Sequence, residues 1–213
     1  MPTNRVEAFS DGVFAIAITL LVLNISVPRS RPGRLGHDLA HQWPSYAAYA
    51  VSFVIIGIIW VNHHGMYRLV GRVDRVMQFT NLGLLGAVAV LPFTTALLAQ
   101  YVRSGGANSH LAAAVYSANM TATGIFFLAA WLRLLVRADL RAPGLGSAET
   151  RVMIRRTLVG PVMYGASIGL AFVSAPACLV VYALIAAYYA VSYVTADDPS
   201  AAAEPAPPGG TAG

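Results

Sequence analysis

Long apolar runs separated by short polar segments dominate this amino-acid sequence. A membrane-spanning helix needs about 20 mostly apolar residues to cross the hydrocarbon core. Six such runs follow one another, near residues 8–27, 45–67, 79–101, 109–136, 157–175 and 176–194. The pattern therefore predicts an all-α integral membrane protein with six transmembrane helices.

Two of the predicted boundaries are irregular. The fourth run is longer than a span needs, so we expect it to fray into a loop near Arg133. Only Ala175 and Pro176 separate the fifth and sixth runs, which predicts either a tight antiparallel hairpin or one kinked segment. The sequence predicts one transmembrane domain over residues 1–195. The Ala, Pro and Gly residues of 196–213 have nothing to bury, which predicts a disordered C-terminal tail.

The composition excludes a soluble domain. Hydrophobic residues make up 57% of the 213 positions and charged residues 11%, with a mean hydropathy of +0.62. Soluble domains carry about 25% charged residues. The net charge of +5 comes from 14 Arg, with no Lys, against 9 acidic residues. In a membrane protein such charges lie in the loops and set the topology, so we do not interpret them as a nucleic-acid-binding surface.

The arginines are unequally divided between the two sides of the predicted spans. One side holds ten of them: Arg5, Arg68, Arg72, Arg75, Arg133, Arg137, Arg141, Arg151, Arg155 and Arg156. The other side holds four: Arg29, Arg31, Arg34 and Arg103. Positive residues accumulate in cytoplasmic loops. The bias predicts that both termini are cytoplasmic.

This topology brings the polar residues of the first three helices to one depth near the cytoplasmic surface. They are Arg5, Ser10, Asp11, Trp60, Asn62, His63, His64 and Asn81. An ionisable group within a span is costly unless it is paired or faces water, so such a cluster is a functional-site hypothesis. The alternative is a hydrogen-bonded cluster that only locks the three helices together, and the residues alone leave both interpretations open.

The first helix carries an apolar stripe. Ile16, Thr19, Leu20 and Leu23 recur at positions i, i+3, i+4 and i+7, which places them on one helical face. In an arbitrary membrane protein such a stripe faces lipid or another helix. If four copies met on an axis, it would form rings of branched aliphatic side chains with a ring of hydroxyls among them.

Three motifs resemble a known family. Residues 5–11 have the pattern R-x-x-x-F-S-D at the start of an apolar span, and residues 60–64 read Trp-Val-Asn-His-His. Asn81 and the Leu-Pro-Phe segment at 91–93 follow on the third helix. Together these motifs resemble the transmembrane protein 175 family, which comprises lysosomal and bacterial potassium channels unrelated to the usual potassium-channel fold. The likeness covers about the first 100 residues with motifs.

The resemblance implies a bacterial, single six-helix unit in the inner (plasma) membrane that assembles as a homotetramer around a pore lined by the first helix. By the same likeness, Ile16 and Leu23 match the hydrophobic constriction and Thr19 a threonine layer, with Leu20 beside them in the lining. Phe9 joins the polar layer as part of a network that braces the helices. The expected permeant ion is potassium; no enzymatic activity, cofactor or fixed metal is expected.

A channel of this kind would select potassium without backbone carbonyls. No T-V-G-Y-G segment occurs in the sequence, so no loop offers carbonyl rings in place of the hydration shell. A narrow apolar ring would make an ion shed part of its water, which costs potassium less than sodium. We therefore expect moderate selectivity, with filter and gate in the same place.

Two other functions remain open from the sequence. A proton- or cation-coupled secondary transporter could use Asp11 and His63 or His64 as its relay, although transporters usually bind at the midplane between interrupted helices. A structural or partner-binding membrane subunit is the third interpretation.

Two further motifs are weak. His37 and His41 lie at i and i+4 and could hold a metal, yet two ligands without a third are little evidence. Residues 165–169 match G-x-S-x-G, but the nucleophile of a hydrolase needs a strand-to-helix turn. Inside a span these residues favour close helix packing instead.

Overall fold

A computed structural model describes residues 3–194, and their side chains up to residue 190. Over this range the chain folds into seven α-helices: α1 (Thr3–Leu20), α2 (Leu35–His41), α3 (Trp43–Tyr67), α4 (Arg75–Tyr101), α5 (Gly106–Val136), α6 (Ser147–Ala171) and α7 (Ala175–Val194). Turns of 3-10 helix follow at Leu21–Asn24, directly after α1, and at Ala138–Leu140. The tail predicted at 196–213 lies outside the described residues.

Six of the helices are long, which confirms the prediction of an all-α membrane protein with six helices. Among the described residues, four segments are long and apolar enough to cross a membrane: Thr3–Asn24, Trp43–Tyr67, Arg75–Tyr101 and Gly106–Val136. The two remaining predicted spans fall on α6 and α7. The short α2 was not predicted, because its seven residues mix apolar and polar positions.

Helix ends differ from the predicted runs wherever a helix continues beyond its apolar part. α6 begins at Ser147, ten residues before the fifth apolar run, because charged residues can extend a helix outside the hydrocarbon. α5 runs without a break to Val136 and does not fray near Arg133. Between α6 and α7 only residues 172–174 are non-helical, and the two helices pack together as a hairpin.

The long helices form one packed bundle with α1 at its edge. α5 packs against both α4 and α6, and α7 packs against α3, α5 and α6. α1 packs against α3 and α4 through Phe14, Ala17 and Leu21, which are buried. Its opposite face is exposed within the described residues 3–194.

The loops after α3 and α5 pair with each other. The Gly71 amide donates to the Leu140 carbonyl at 2.8 Å, and the Ala142 amide donates to the Leu69 carbonyl at 2.9 Å. A Cβ on Gly71 would lie 2.6 Å from the carbonyl oxygen of Arg141, so only glycine fits this close approach. The two Arg-rich loops therefore lie on the same side of the bundle.

Candidate functional site

Asn81 is the centre of a buried hydrogen-bond network between α1, α3 and α4. Its amide nitrogen donates to Oγ of Ser10 at 3.1 Å, and its Oδ1 lies 2.8 Å from Nε2 of His63. Since the amide nitrogen already donates, Oδ1 accepts, and the His63 tautomer carries its proton on Nε2. Ser10 in turn donates to the Val6 carbonyl at 2.7 Å. Three helices predicted to meet at one depth are thus joined through one side chain.

The His63 imidazole is enclosed by aromatic rings. Its ring centroid lies 4.5 Å from that of Tyr67, 5.4 Å from Phe14 and 6.4 Å from Phe127. Phe127 belongs to α5, so the network reaches a fourth helix. The packing fixes the orientation of the ring that contacts Asn81.

A second contact joins α1 and α3 at the surface of the chain. The indole nitrogen of Trp60 donates to Oδ1 of Asp11 at 2.8 Å, and the Trp60 ring stacks with His64 at 6.2 Å between centroids. Nδ1 of His64 lies 3.9 Å from Oε2 of Glu7. Glu7 was not among the residues predicted for this layer. The signal was available, since Glu7 lies one helical turn before Asp11 and so on the same face.

Two residues of the predicted network are exposed, and a third bonds to its own helix. Arg5 is exposed near the start of α1 and forms no ion pair with the residues described here. Phe9 is also exposed. The side chain of Asn62 donates to the Ile58 carbonyl of its own helix at 2.8 Å. In a single chain, therefore, the structure brings together Ser10, Asp11, Trp60, His63, His64 and Asn81, whereas Arg5 and Phe9 are exposed.

The predicted stripe of α1 lies on the face that is exposed in the single chain. Ile16 is 61% and Leu23 is 74% exposed, and Leu20 and Thr19 are exposed between them. The Thr19 hydroxyl donates to main-chain carbonyls of its own helix, at 3.0 Å from Ala15 and 2.9 Å from Ile16. Because its proton is used there, its oxygen lone pairs remain available to a cation.

The helix tightens within the stripe. From Leu21 to Asn24 the backbone is 3-10, with about 2.0 Å rise and 120° per residue in place of about 1.5 Å and 100°. Leu23 therefore lies roughly 12 Å along the axis from Ile16, and side chains at i and i+3 eclipse, which aligns Leu23 with Leu20. The residue spacing predicts a straight α-helix, which would not contain this change in angular position.

Asn24 fixes the end of this turn. Its side-chain amide donates to the main-chain carbonyl of Pro92 in α4 at 2.8 Å. Ser10 and Asp11 hold the middle of α1, so the helix is attached to its neighbours at two levels, and its Ile16 face is exposed between them. The sequence offered only a weak signal, an amide at the end of an apolar run.

Neither the His37 and His41 pair nor the G-x-S-x-G segment at 165–169 forms a binding or catalytic site in the described part of the chain. His37 and His41 stack with centroids 6.0 Å apart on α2, and no group of three metal-binding side chains occurs in the described part of the chain. Ser167 is buried within α6 and donates to the Met163 carbonyl at 2.8 Å. A serine held inside a helix in this way has no nucleophile turn.

An ion pair holds the paired loops. Asp74 caps the N-terminus of α4 by accepting from the Met77 amide at 2.9 Å, and Arg133 donates to the same carboxylate at 2.5 Å. Partial burial alone would raise the pKa of Asp74, but the hydrogen bonds from Arg133 and Met77 and the charges of Arg133 and Arg137 lower it overall. Asp139 accepts from Arg137, which lowers its pKa to about 2.

Comparison with known proteins finds relatives that are all described as ion channels. Residues 5–92 match the family described as endosomal/lysosomal potassium channel TMEM175. A potassium channel of Streptomyces collinus is 50% identical over 202 residues, which is 94% of this chain and 98% of that one. The crystal structure of a lysosomal potassium-selective channel TMEM175 homologue from Chamaesiphon minutus matches with a TM-score of 0.79 at 37% identity, over 89% of this chain and 97% of that one. The endosomal/lysosomal proton channel TMEM175 of Gallus gallus is 40% identical over 106 residues, 46% of this chain and 21% of that protein. The matched region contains the polar layer and the α1 stripe.

Proposed function

The chain belongs to the TMEM175 family of ion channels, and we propose that it conducts potassium through a homotetrameric pore lined by α1. The family consists of channels and not of enzymes, in agreement with the sequence analysis. The observation that carries the finer proposal is the exposed face of α1, where Ile16, Leu20 and Leu23 lie open although the helix is attached to its neighbours at Asp11 and Asn24. Several copies of that face would enclose an axial pore.

In the proposed pore, three apolar positions form the constriction. Leu20 and Leu23 share one angular position after the 3-10 turn, and Ile16 lies one helical turn before Leu20. Rings of such side chains resist both water and ions, so a passing ion sheds part of its shell. The Thr19 oxygens then offer partial replacement of that water, which favours the more weakly hydrated potassium ion.

The polar layer has a bracing role in this proposal. Asn81 and Trp60 hold the middle of α1 through Ser10 and Asp11, and Asn24 holds the 3-10 turn that follows it. Arg5 and Phe9 are exposed in the single chain and would be covered by neighbouring copies. A helix fixed in this way keeps its apolar rings aligned.

The proposed location is the bacterial inner membrane, with both termini in the cytoplasm. The Arg bias and the shared side of the two Arg-rich loops support this orientation. Cysteine labelling from outside intact cells tests it, in a background where the native Cys178 is replaced by Ala. Ser104→Cys should be labelled and Ser147→Cys should not; the reverse pattern would contradict the orientation.

The second candidate is the coupled transporter, with Asp11 and His63 or His64 as its relay. The contact of His64 with Glu7 and the name of the proton channel of Gallus gallus favour proton movement as a competing activity. A carrier saturates with substrate and couples two fluxes at a fixed ratio, whereas a channel passes current down one ion gradient.

Flux through the purified protein in liposomes tests the proposal. A potassium gradient should drive non-saturating flux that exceeds sodium flux, and the detergent-corrected mass of the same sample should be that of four chains. Potassium flux that requires a proton gradient would support the transporter instead. A conducting monomer or dimer would contradict the pore.

A further inference from the structure

A cavity of about 610 Å³ lies between α3, α5, α6 and α7, away from the exposed face of α1. Its volume falls within the roughly 300–1,000 Å³ of small-molecule sites. The walls are largely apolar and include Ile59, Met120, Phe127, Trp131 and Ile185. The proposed pore and its bracing network leave this cavity without a role.

One end of the cavity is polar and positively charged. Arg156 and Thr157 of α6 border it, and Arg156 lies nine residues, roughly 14 Å, from the start of that helix. Arg151 and Arg155 lie on the same segment, opposed by Glu149 alone, so this end of α6 is net positive. The Tyr189 hydroxyl donates to the Arg156 carbonyl at 3.3 Å, which holds α6 and α7 together at this end.

Such a cavity suits a hydrocarbon chain better than water. Cavities lined by aliphatic and aromatic side chains stay dry unless several polar groups converge in them. In a membrane protein the surrounding bilayer supplies acyl chains, and an Arg at the interface buries its stem while its guanidinium reaches the headgroups. Anionic headgroups are attracted to such residues by about 1 kcal/mol for each Arg.

We propose that this cavity binds one acyl chain of an anionic phospholipid, with the lipid phosphate against the guanidinium of Arg156. The ligand chemistry is a phosphate joined to a long hydrocarbon chain. The apolar walls hold the chain, and Arg156 selects the charge of the headgroup. Occupation would fill the gap between α3 and the α6–α7 hairpin.

Trp131 provides a direct probe, because it lines the cavity and is only 6% exposed. Bromine atoms on an acyl chain quench tryptophan fluorescence on contact. The experiment uses the full chain in phosphatidylcholine vesicles to which either brominated-acyl phosphatidylglycerol or brominated-acyl phosphatidylcholine is added. The other two tryptophans, Trp43 and Trp60, are exposed and are quenched by bulk lipid. The difference between the wild type and Trp131→Phe therefore isolates the cavity.

Two variants and one matched control follow from the lining. Arg156→Gln should lower the preference of the Trp131 signal for phosphatidylglycerol about fivefold, the effect of one Arg near an anionic headgroup. Arg155→Gln removes the same charge from an exposed neighbour outside the lining and should change that preference less. Ala186→Phe fills the cavity and should abolish the Trp131 signal with both lipids.

Saturable quenching of Trp131 by brominated phosphatidylglycerol that exceeds quenching by phosphatidylcholine would support the proposal. Absence of a Trp131 component with both lipids would overturn it. Equal losses in Arg155→Gln and Arg156→Gln would overturn the role of Arg156. Displacement of the lipid by glycerol phosphate or inorganic phosphate at millimolar levels would show a site for free phosphate and would overturn the lipid assignment. None of these readouts depends on ion flux.

Discussion

The side-chain amide of Asn24 donates a hydrogen bond to the main-chain carbonyl of Pro92, 2.8 Å away, and thereby ties the 3-10 turn after α1 to α4. Leu23 precedes Asn24 directly, so the position of this apolar side chain depends on the contact. The same turn also packs against α3 and α4 through the buried Leu21, whereas Leu23 itself is exposed.

Asn24→Ala should therefore reduce selectivity more than assembly. Loss of one such bond costs about 1 kcal/mol, which is too little to unfold the chain. The loss does allow Leu23 to move, and with it the ring that four Leu23 side chains form in the proposed pore. We expect a lower potassium-to-sodium permeability ratio in liposomes with the tetramer intact by mass. Asn108→Ala, an exposed asparagine at the start of α5, is the matched control and should behave as the wild type. Unchanged permeability in Asn24→Ala would show that the turn holds its position without α4.

Ile16→Asn and Leu23→Asn should each raise conductance and admit sodium more freely. A polar side chain lets water enter an apolar ring and removes the barrier that strips the ion. Reversal potentials under mixed potassium and sodium gradients measure the change. Ile125→Asn, an equal substitution at an exposed position of α5, should leave both quantities unchanged. If Ile125→Asn alters selectivity and Ile16→Asn does not, the pore face has been assigned to the wrong helix.

Thr19→Ala should weaken the preference for potassium with a smaller change in total current. The substitution removes the oxygen whose proton is held by its own helix, and it leaves the apolar rings in place. Thr19→Ser keeps that oxygen and should retain most of the preference. Equal loss in the Ala and Ser variants would indicate that the methyl group, and not the oxygen, matters.

Asn81→Leu should destabilise the protein by roughly 1–3 kcal/mol, because it leaves buried polar atoms of Ser10 and His63 without their partner. The unfolding temperature and the potassium flux should both decrease, as expected for a bracing role. Asn108→Leu provides the exposed comparison. Loss of flux in a tetramer of wild-type stability would instead assign Asn81 to conduction.

The ion pair of Asp74 predicts a specific pH dependence. A lowered pKa stabilises the fold fully above the ordinary value of 3.8 and less as the pH falls through the lowered one. Asp74→Asn keeps an oxygen that can cap α4 but loses the charge. The stability difference between wild type and Asp74→Asn should stay constant from about pH 8 to about pH 5 and shrink below about pH 4 in thermal unfolding. Asp139→Asn, at an exposed pair, should have little effect at any of these values.

The sequence predicted contacts that depend on residue type and depth. Trp60 bonds to Asp11, and Asn81 bonds to Ser10 and His63, at the depth that these residues share in the sequence. Buried polar groups need partners, which is why residues at one depth bond to each other. The α1 stripe also lies on one face, since a period of 3.6 residues fixes angular position.

Features that depend on tertiary contact were not predictable. Hydropathy measures apolar length and not helicity, so it could not place the start of α6 at Ser147. The 3-10 turn ends at Asn24, whose side chain bonds to a carbonyl 68 residues away. The hydroxyl of Tyr116 lies 3.1 Å from Oγ of Ser52, which accepts a hydrogen bond from the Thr95 hydroxyl at 2.8 Å. No spacing in the sequence predicts this buried contact.

The paired loops also set an order of events during synthesis. The bond from Gly71 to Leu140 joins residues about 70 positions apart, and the whole α4–α5 hairpin lies between them. A chain emerging from the ribosome can form this bond only after α4 has crossed the bilayer and α5 has returned. The contact therefore forms only when that insertion step is complete. A side chain at residue 71 would reduce the yield of mature protein, but it would leave the ion pathway unaltered in the molecules that do mature.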